Sequence, residues 1–427
     1  MRRILNAFLP GRLGSDFRWI WSSSSVGNLG DGVLIAAGPL LVASITHDAF
    51  PVAMALFLQR LPYFLLGLPA GAIIDRVDRR SLVIAMNLIR CAVLAILALA
   101  LVLDRASLPV IFVAMFALGT AETFADNASI AVIPLLVPRD ALGQANARLI
   151  GTRIAMNQLA GPPLGAFLFA LGIALPFGFN AVCFALAVVL FAQVRLSHDP
   201  PIERTTSMRR EVADGLAWLW AHAPVRTLII LIAVFNVTFG AAFSVLVLYA
   251  LERLGLSEVG YGFLLSASAV GGLVGSAAFR LLEERFSYAQ LLRIGLTIET
   301  LTHLGLALTT SALLASAILF LFGIHAVVWG TTSATIRQRA VPARLLGRVQ
   351  SVYMIGVFGP LALGTALGGA IAQRWGVTAP FWFAFVGAAI TTALMWRSIA
   401  NVADAGEPRA DDPSVPPQSA DIAIPGS

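Results

Sequence analysis

Twelve long apolar stretches run along this chain, separated by polar breaks. A helix that crosses a bilayer needs about 20 such residues. The pattern predicts spans at 19–45, 51–74, 81–103, 108–132, 146–171, 174–195, 225–250, 258–281, 289–309, 311–336, 349–373 and 377–399. Glycines and prolines lie inside many of them, which membrane helices tolerate because neighbouring groups re-satisfy the freed backbone. The longest internal break, 196–224, holds an amphipathic stretch at 207–221 with Trp218 and Trp220. Such a helix is expected on the inner membrane face. The segment after Asn401 is rich in Pro, Ala, Ser and Asp, lacks apolar periodicity, and reads as disordered. The division is therefore an N-terminal segment 1–18, six spans over 19–195, a linker 196–224, six spans over 225–399, and a tail 400–427.

The second six spans echo the first. Val137-Pro138 and Leu142-Gly143 recur as Val341-Pro342 and Leu346-Gly347, an offset of 204 residues. At that offset Gly67, Gly71, Arg76 and Gly165 fall on Gly271, Gly275, Arg280 and Gly369. The reading is an all-α membrane protein with twelve transmembrane helices in two pseudo-symmetric six-helix bundles. Two similar membrane halves joined by a polar linker is how many secondary transporters are built.

Composition agrees. Hydrophobic residues make up 58% and charged residues 12%, where a soluble domain carries about 25% charged. Cys91 and Cys183 lie within apolar runs, with no disulfide framework or metal site implied. The net charge of +6 raises the question of nucleic acid, and its distribution answers it. With the N-terminus in the cytoplasm, 24 of the 29 arginines fall in inner segments and 3 in outer loops; Arg60 and Arg90 lie within spans. That asymmetry is the positive-inside signature and places both termini in the cytoplasm. No small-residue cleavage site follows the first stretch, so it reads as a retained helix.

At the inner end of the second span stand Gly67, Gly71, Asp75, Arg76, Asp78, Arg79 and Arg80. The two glycines share a helix face and would allow close packing. The acid sits at the membrane boundary among arginines, a contact that can be made in one conformation and broken in another. The plain alternative is positive-inside charge beside a packed helix. The run resembles the loop signature of the major facilitator superfamily, Gly-x-x-x-Asp-Arg-x-Gly-Arg-Arg, with Asp78 in place of the second glycine. The resemblance implies a conformational latch. Asn157, Gly161, Pro162 and Gly165 in span five resemble that superfamily's motif of proton-driven exporters, with Asn157 and Ala166 departing from it. A packing kink is the alternative there. The stretch from Glu122 and Asp126 through Pro138 and Asn146 is similar to the efflux branch that includes enterobactin exporters and macrolide-efflux proteins.

An ionisable group at mid-bilayer costs at least about 2.5–3.5 kcal/mol, so each needs a reason. Asp31, Arg60, Arg90, Glu122 and Asp126 lie deep in the first half. Acids whose arginine partners change between conformations would bind and release protons, with Asp31 foremost and Arg60 and Arg90 as partners. A static paired network is the alternative. Glu299 and His303, four apart, are read as an intrahelical pair or a second relay, and His325 as a core histidine or a proton relay. Asn28, Asn236, Phe239, Phe243, His325, Trp329 and Tyr353, with Asp31, Glu122 and Asn157, are expected to line a cavity between the halves. A surface that apolar suits an amphipathic or aromatic molecule.

Without lysine there is no phosphate-binding Gly-x-x-x-x-Gly-Lys signature, and there is no Gly-x-Ser-x-Gly elbow or metal cluster. No catalytic residue, metal or cofactor is expected. The expected partners are a small-molecule substrate, protons and the lipid bilayer, with no nucleic acid. The expected protein is a monomer in a bacterial inner membrane that exports amphipathic molecules such as drugs or siderophores in exchange for protons. A proton-coupled importer and a non-transporting receptor or partner subunit are the rival readings.

Overall fold

The computed structural model describes residues 13–74, 76–195, 208–342 and 345–404, and the described elements are helical throughout. In chain order they are α1 (Gly14–Ile45), α2 (Ala49–Ile74), α3 (Arg79–Val102), α4 (Leu108–Leu136), α5 (Leu142–Leu171), α6 (Leu175–Phe191), α7 (Met208–Ala221), α8 (Ala223–Phe243), α9 (Glu258–Arg285), α10 (Tyr288–Leu308), α11 (Ala312–Ala340), α12 (Leu346–Trp375), α13 (Ala379–Met395) and α14 (Ser398–Asp404). Ten are long and apolar enough to cross a membrane, and α6 and α13 are shorter apolar helices. Together they match the twelve apolar stretches of the sequence.

Polar side chains secure several helix starts. Asp78 caps α3 by accepting the Ser81 backbone N–H at 2.8 Å. Ser257 caps α9, and Ser287 with Gln290 forms a capping box on α10. The first helix begins at Gly14, inside the segment expected to precede it. The expected span 225–250 breaks at Ser244, and the chain resumes as a helical turn at Leu246–Leu248 that continues into a π turn at Tyr249–Arg253. Helix α14 carries structure into the expected tail; residues 405–427 lie outside the described set, as do 1–12.

The repeat is visible in the helix ends. The starts and ends of α4, α5 and α6 recur 204 residues later in α11, α12 and α13, to the residue. The starts of α1, α2 and α3 recur 209 residues later in α8, α9 and α10. The second half is five residues shorter across α10 and the loop after it, which shifts the register. This corrects the expected mapping of Gly67 and Gly71 onto Gly271 and Gly275. At 209, Asp75-Arg76 instead matches Glu284-Arg285, and the cap Asp78 matches the cap Ser287.

The two bundles meet at one end. There the largest hydrophobic cluster is continuous between them, joining Leu40, Val52 and Phe177 to Val247, Tyr249, Ala372 and Phe381. At the end bearing the termini the core divides. Ile20, Ala70 and Val132 cluster within the first bundle, and Leu228, Leu296 and Ile336 within the second. The seams at the closed end are α2 against α12 and α5 against α9. The linker helix α7 packs on α12 and leaves Leu216 and Trp220 exposed. Gly215 abuts the Arg348 backbone, Asp214 pairs with Arg348 at 2.8 Å, and Leu219 is buried with Val225, Val349 and Val352.

Candidate functional site

The first bundle concentrates its charge at mid-depth. Asp31 of α1 forms an ion pair with Arg90 of α3, whose side chain is 4% exposed. The Arg90 guanidinium also lies 3.9 Å from the ring centre of Phe184 on α6. Three helices thus hold one cation, which offsets its desolvation. Glu122 and Asp126, one turn apart on α4, lie within electrostatic reach of that pair. Asp126 accepts a hydrogen bond from the Tyr63 hydroxyl at 3.0 Å. The Tyr63 ring stacks on Phe358 of the second bundle, centres 5.1 Å apart. An acid of one bundle is therefore one hydrogen bond away from a ring contact across the seam.

Sequence reasoning offered Asp31 two arginine partners, and the structure brings it to one. Arg90 pairs with it; Arg60 is exposed and in no ion pair among the described residues. Tyr63 and Phe358 were not anticipated. A tyrosine one turn from Arg60 in an apolar helix was the available signal for the first; nothing marks the second.

The exporter-type motif forms the joint between α1, α5 and α9. Residues Arg153–Ala160 of α5, including Asn157, are π-helical, and the Gly161 N–H reaches back to the Met156 carbonyl. Pro162 and Pro163 carry no N–H, so the carbonyls of Gln158 and Leu159 lose their α-helical donors. The Ser266 hydroxyl of α9 supplies one of them, at 2.9 Å from the Leu159 oxygen. Gly161 lies on Gly32 of α1, Gly165 on Val33, and Gly262 of α9 on Pro162, all too close for a Cβ. Here glycine is required by close approach.

The loop between α2 and α3 behaves differently from the expectation. A Cβ on Gly67 or Gly71 would meet nothing within 4 Å, so these glycines pack against no neighbour in this conformation. Asp75 lies outside the described residues, and Arg76 is exposed. Arg79 donates to the Ala131 carbonyl at 3.3 Å and Arg80 to the Ala192 carbonyl at 2.5 Å. The two arginines tie the loop to α4 and to the turn after α6, within one bundle.

Of the expected cavity residues, Phe239 and Phe243 stack on each other at 4.1 Å between ring centres, and Phe322 lies 5.6 and 5.5 Å from them. Asn28 and Asn236 are half-buried and donate to backbone carbonyls of their own helices at 2.8 Å. Trp329 and Tyr353 pack against the core of the second bundle and are half-buried there, and His325 is buried beside them. The Arg337 guanidinium covers the Tyr353 ring at 3.6 Å. Glu299 meets His325 at 3.2 Å instead of its helix neighbour His303. Neither cysteine forms a disulfide.

Two bundles joined at one end and parted at the other, with ion-paired acids inside, define the class: a multi-pass membrane transporter. Solved structures share the fold. A bacterial homologue of the iron transporter ferroportin, in an inward-facing state, superposes with a TM-score of 0.72 at 19% identity, covering 90% of this chain and 98% of that one. A bacterial homologue of the human lysosomal transporter Spinster, inward-facing and unoccupied, gives 0.66 at 14% identity, covering 93% and 96%. The sequence goes further. The chain belongs to the major facilitator family of transmembrane secretion effectors, whose profile matches residues 7–424. It is 27% identical to the multidrug efflux pump Tap of Mycolicibacterium fortuitum over 82% of this chain and 88% of that protein. It is 23% identical to macrolide efflux protein A of Streptococcus pyogenes over 88% and 93%. It is 25% identical to the enterobactin exporter EntS of Shigella boydii over 83% and 85%. These relatives are transporters, not enzymes.

Proposed function

We propose that this protein exports amphipathic small molecules across a bacterial inner membrane in exchange for protons. It works as a monomer with both termini in the cytoplasm. The arginine asymmetry supports a divided end on the cytoplasmic side and a conformation that faces inward, ready to load. Drug and siderophore exporters among its relatives support the direction and the substrate class.

The observation that carries proton coupling is the Asp31–Arg90 pair beside Glu122 and Asp126, with Asp126 bonded to Tyr63 at the seam. Protonating Asp126 weakens its hold on the Tyr63 hydroxyl, because a hydrogen bond to a charged acceptor is stronger than one to a neutral group. That alters a contact the other bundle shares. A proton entering from the outer side would thereby favour one conformation, and substrate the other. A membrane potential adds about 2.3 kcal/mol per charge per 100 mV.

The test uses inside-out vesicles with an acidified lumen and a fluorescent pH probe inside. Macrolides, lipophilic cations and catecholate siderophores are added in turn. Proton efflux triggered by one class, and lost in Asp31→Asn and Asp126→Asn, is the expected result. Silence across all three classes with folded protein present refutes proton-driven export of these compounds.

A further inference from the structure

The second bundle holds buried polar groups that the export mechanism above does not use. Glu299 of α10 and His325 of α11 face each other, Oε2 to Nε2, with side chains 12% and 2% exposed. His303, one turn from Glu299, is fully buried, and neither ring nitrogen has a hydrogen-bond partner among the described residues. Gly295 makes room for the arrangement: a Cβ there would run into the His325 ring and the Trp329 indole.

From His325, polar side chains continue along one face of α11. Trp329, Thr332, Ser333 and Arg337 follow at the fourth, seventh, eighth and twelfth positions, which is helical spacing. His325 Nδ1, Trp329 Nε1, Thr332 Oγ1, Ser333 Oγ and Arg337 Nη1 are buried without a hydrogen-bond partner among the described residues. Arg337 stands in the last turn of α11, at the end that bears the termini. Twelve residues at 1.5 Å each make this file about 18 Å long.

Each unpaired buried polar group costs about 1–3 kcal/mol. An apolar helix face with one such residue is a local fault; five at helical spacing make a path. Water is the partner that satisfies such groups where several converge. We propose that Glu299 and His325 form a second proton-binding site, reached from the cytoplasmic side through a hydrated file along Trp329, Thr332, Ser333 and Arg337.

The step balances. A hydronium ion at the Arg337 end passes a proton inward, and water remains behind. The proton joins the pair, taking it from one net negative charge to none, and is shared between carboxylate and imidazole as a unit. The ionisable groups facing the pair are few. His303 is on α10, and Arg337 is at the far end of α11, with Tyr353 of α12 beneath it. Helix α9, packed along α11, carries Glu258 and Tyr261 near its start and Arg280, Glu283, Glu284 and Arg285 near its end, with none over the stretch 262–279 that lies against His325; α13 carries none, and α8 carries only Arg226, whose side chain donates to the Trp220 carbonyl at 2.6 Å. The site does not depend on the first-bundle acids carrying protons.

The test is infrared difference spectroscopy on purified full-length protein in lipid nanodiscs, without substrate, over about pH 4 to 9. A protonated-carboxyl band that titrates, vanishes in Glu299→Gln and survives in Asp31→Asn is expected. His325→Asn should move its midpoint by at least about one pH unit. The double variant Thr332→Val, Ser333→Ala should slow deuterium exchange of that carboxyl by about tenfold or more. If Glu299→Gln does not fold, Glu299→Asp shifts the band and assigns it. A Glu299 band that stays constant over the pH range in folded protein overturns the site. Titration with unchanged exchange in the double variant overturns the path. Vesicle transport does not enter either result, so failure here is distinct from failure of the export reading.

Discussion

Ser266 of the second bundle donates its hydroxyl to the carbonyl of Leu159 in the first, at 2.9 Å. The acceptor is available because two consecutive prolines deny it a helical donor. A sequence feature of one bundle thus creates a binding point for the other, at the closed end.

Removing that donor should loosen the closed end. A neutral hydrogen bond contributes about 0.5–1.5 kcal/mol, so Ser266→Ala should shift the conformational balance about two- to tenfold toward the outward-open form. Spin labels on Arg105→Cys and Thr310→Cys, on loops of opposite bundles, would show a longer distance population. An unchanged distribution would mean the bond has no part in closure.

The two kinds of glycine should respond oppositely to alanine. Gly161→Ala and Gly165→Ala force a methyl into the backbone of α1, and overpacking of this kind costs about 1–3 kcal/mol. Gly67→Ala and Gly71→Ala meet open space and should leave melting in detergent unchanged or slightly raised, since alanine favours helix by up to about 1 kcal/mol. Leucine at Gly71 should leave the melting point alone yet block transport, if the bundles close over that face.

Asp31→Asn leaves the Arg90 cation buried beside a neutral amide. Breaking such a pair costs about 3–5 kcal/mol, because the remaining charge is uncompensated. The double variant Asp31→Asn, Arg90→Met should recover most of the lost thermal stability while proton-linked transport stays absent. Recovery of both together would make the pair purely structural.

Tyr63→Phe keeps the ring on Phe358 and deletes the hydroxyl bonded to Asp126. The expected effect is a displaced pH profile of transport, with substrate affinity changed by less than about twofold. A change in affinity alone would assign Tyr63 to substrate contact.

Asp214 and Arg348 are 45% and 32% exposed, and pairs this open contribute at most about 1 kcal/mol. Asp214→Ala should therefore barely alter melting, whereas Gly215→Leu should displace α7 from α12 and expose Leu219 to limited proteolysis.

The fold was legible because its signals are one-dimensional. Length of apolar runs gives spans, and arginine placement points to the orientation. Pairing is three-dimensional, and there the sequence was ambiguous. Glu299 and His303 share the four-residue spacing of a helical pair, yet Glu299 bonds to His325, 26 residues away, across two helices. Asp31 had two candidate arginines, and only the packing of both α1 and α3 on α6 selects Arg90. The match of Gly67 to Gly271 was a coincidence of spacing, undone by five residues missing from the α10 region. The sequence also held the polar file on α11: His325, Trp329, Thr332, Ser333 and Arg337 recur at helical period, with Thr331 and Thr335 interleaved among them.

The shifted register carries one more consequence. At the offset of 209, Arg90 falls on Glu299, each eleven residues into its helix. The doubling of the chain kept the location of a charge and inverted its sign. One half answers a cation with an acid from its first helix; the other answers an anion with a histidine from its fourth. A chain engineered from two copies of either half would hold two centres of like kind. The natural arrangement sets an arginine centre and a histidine centre on a common scaffold.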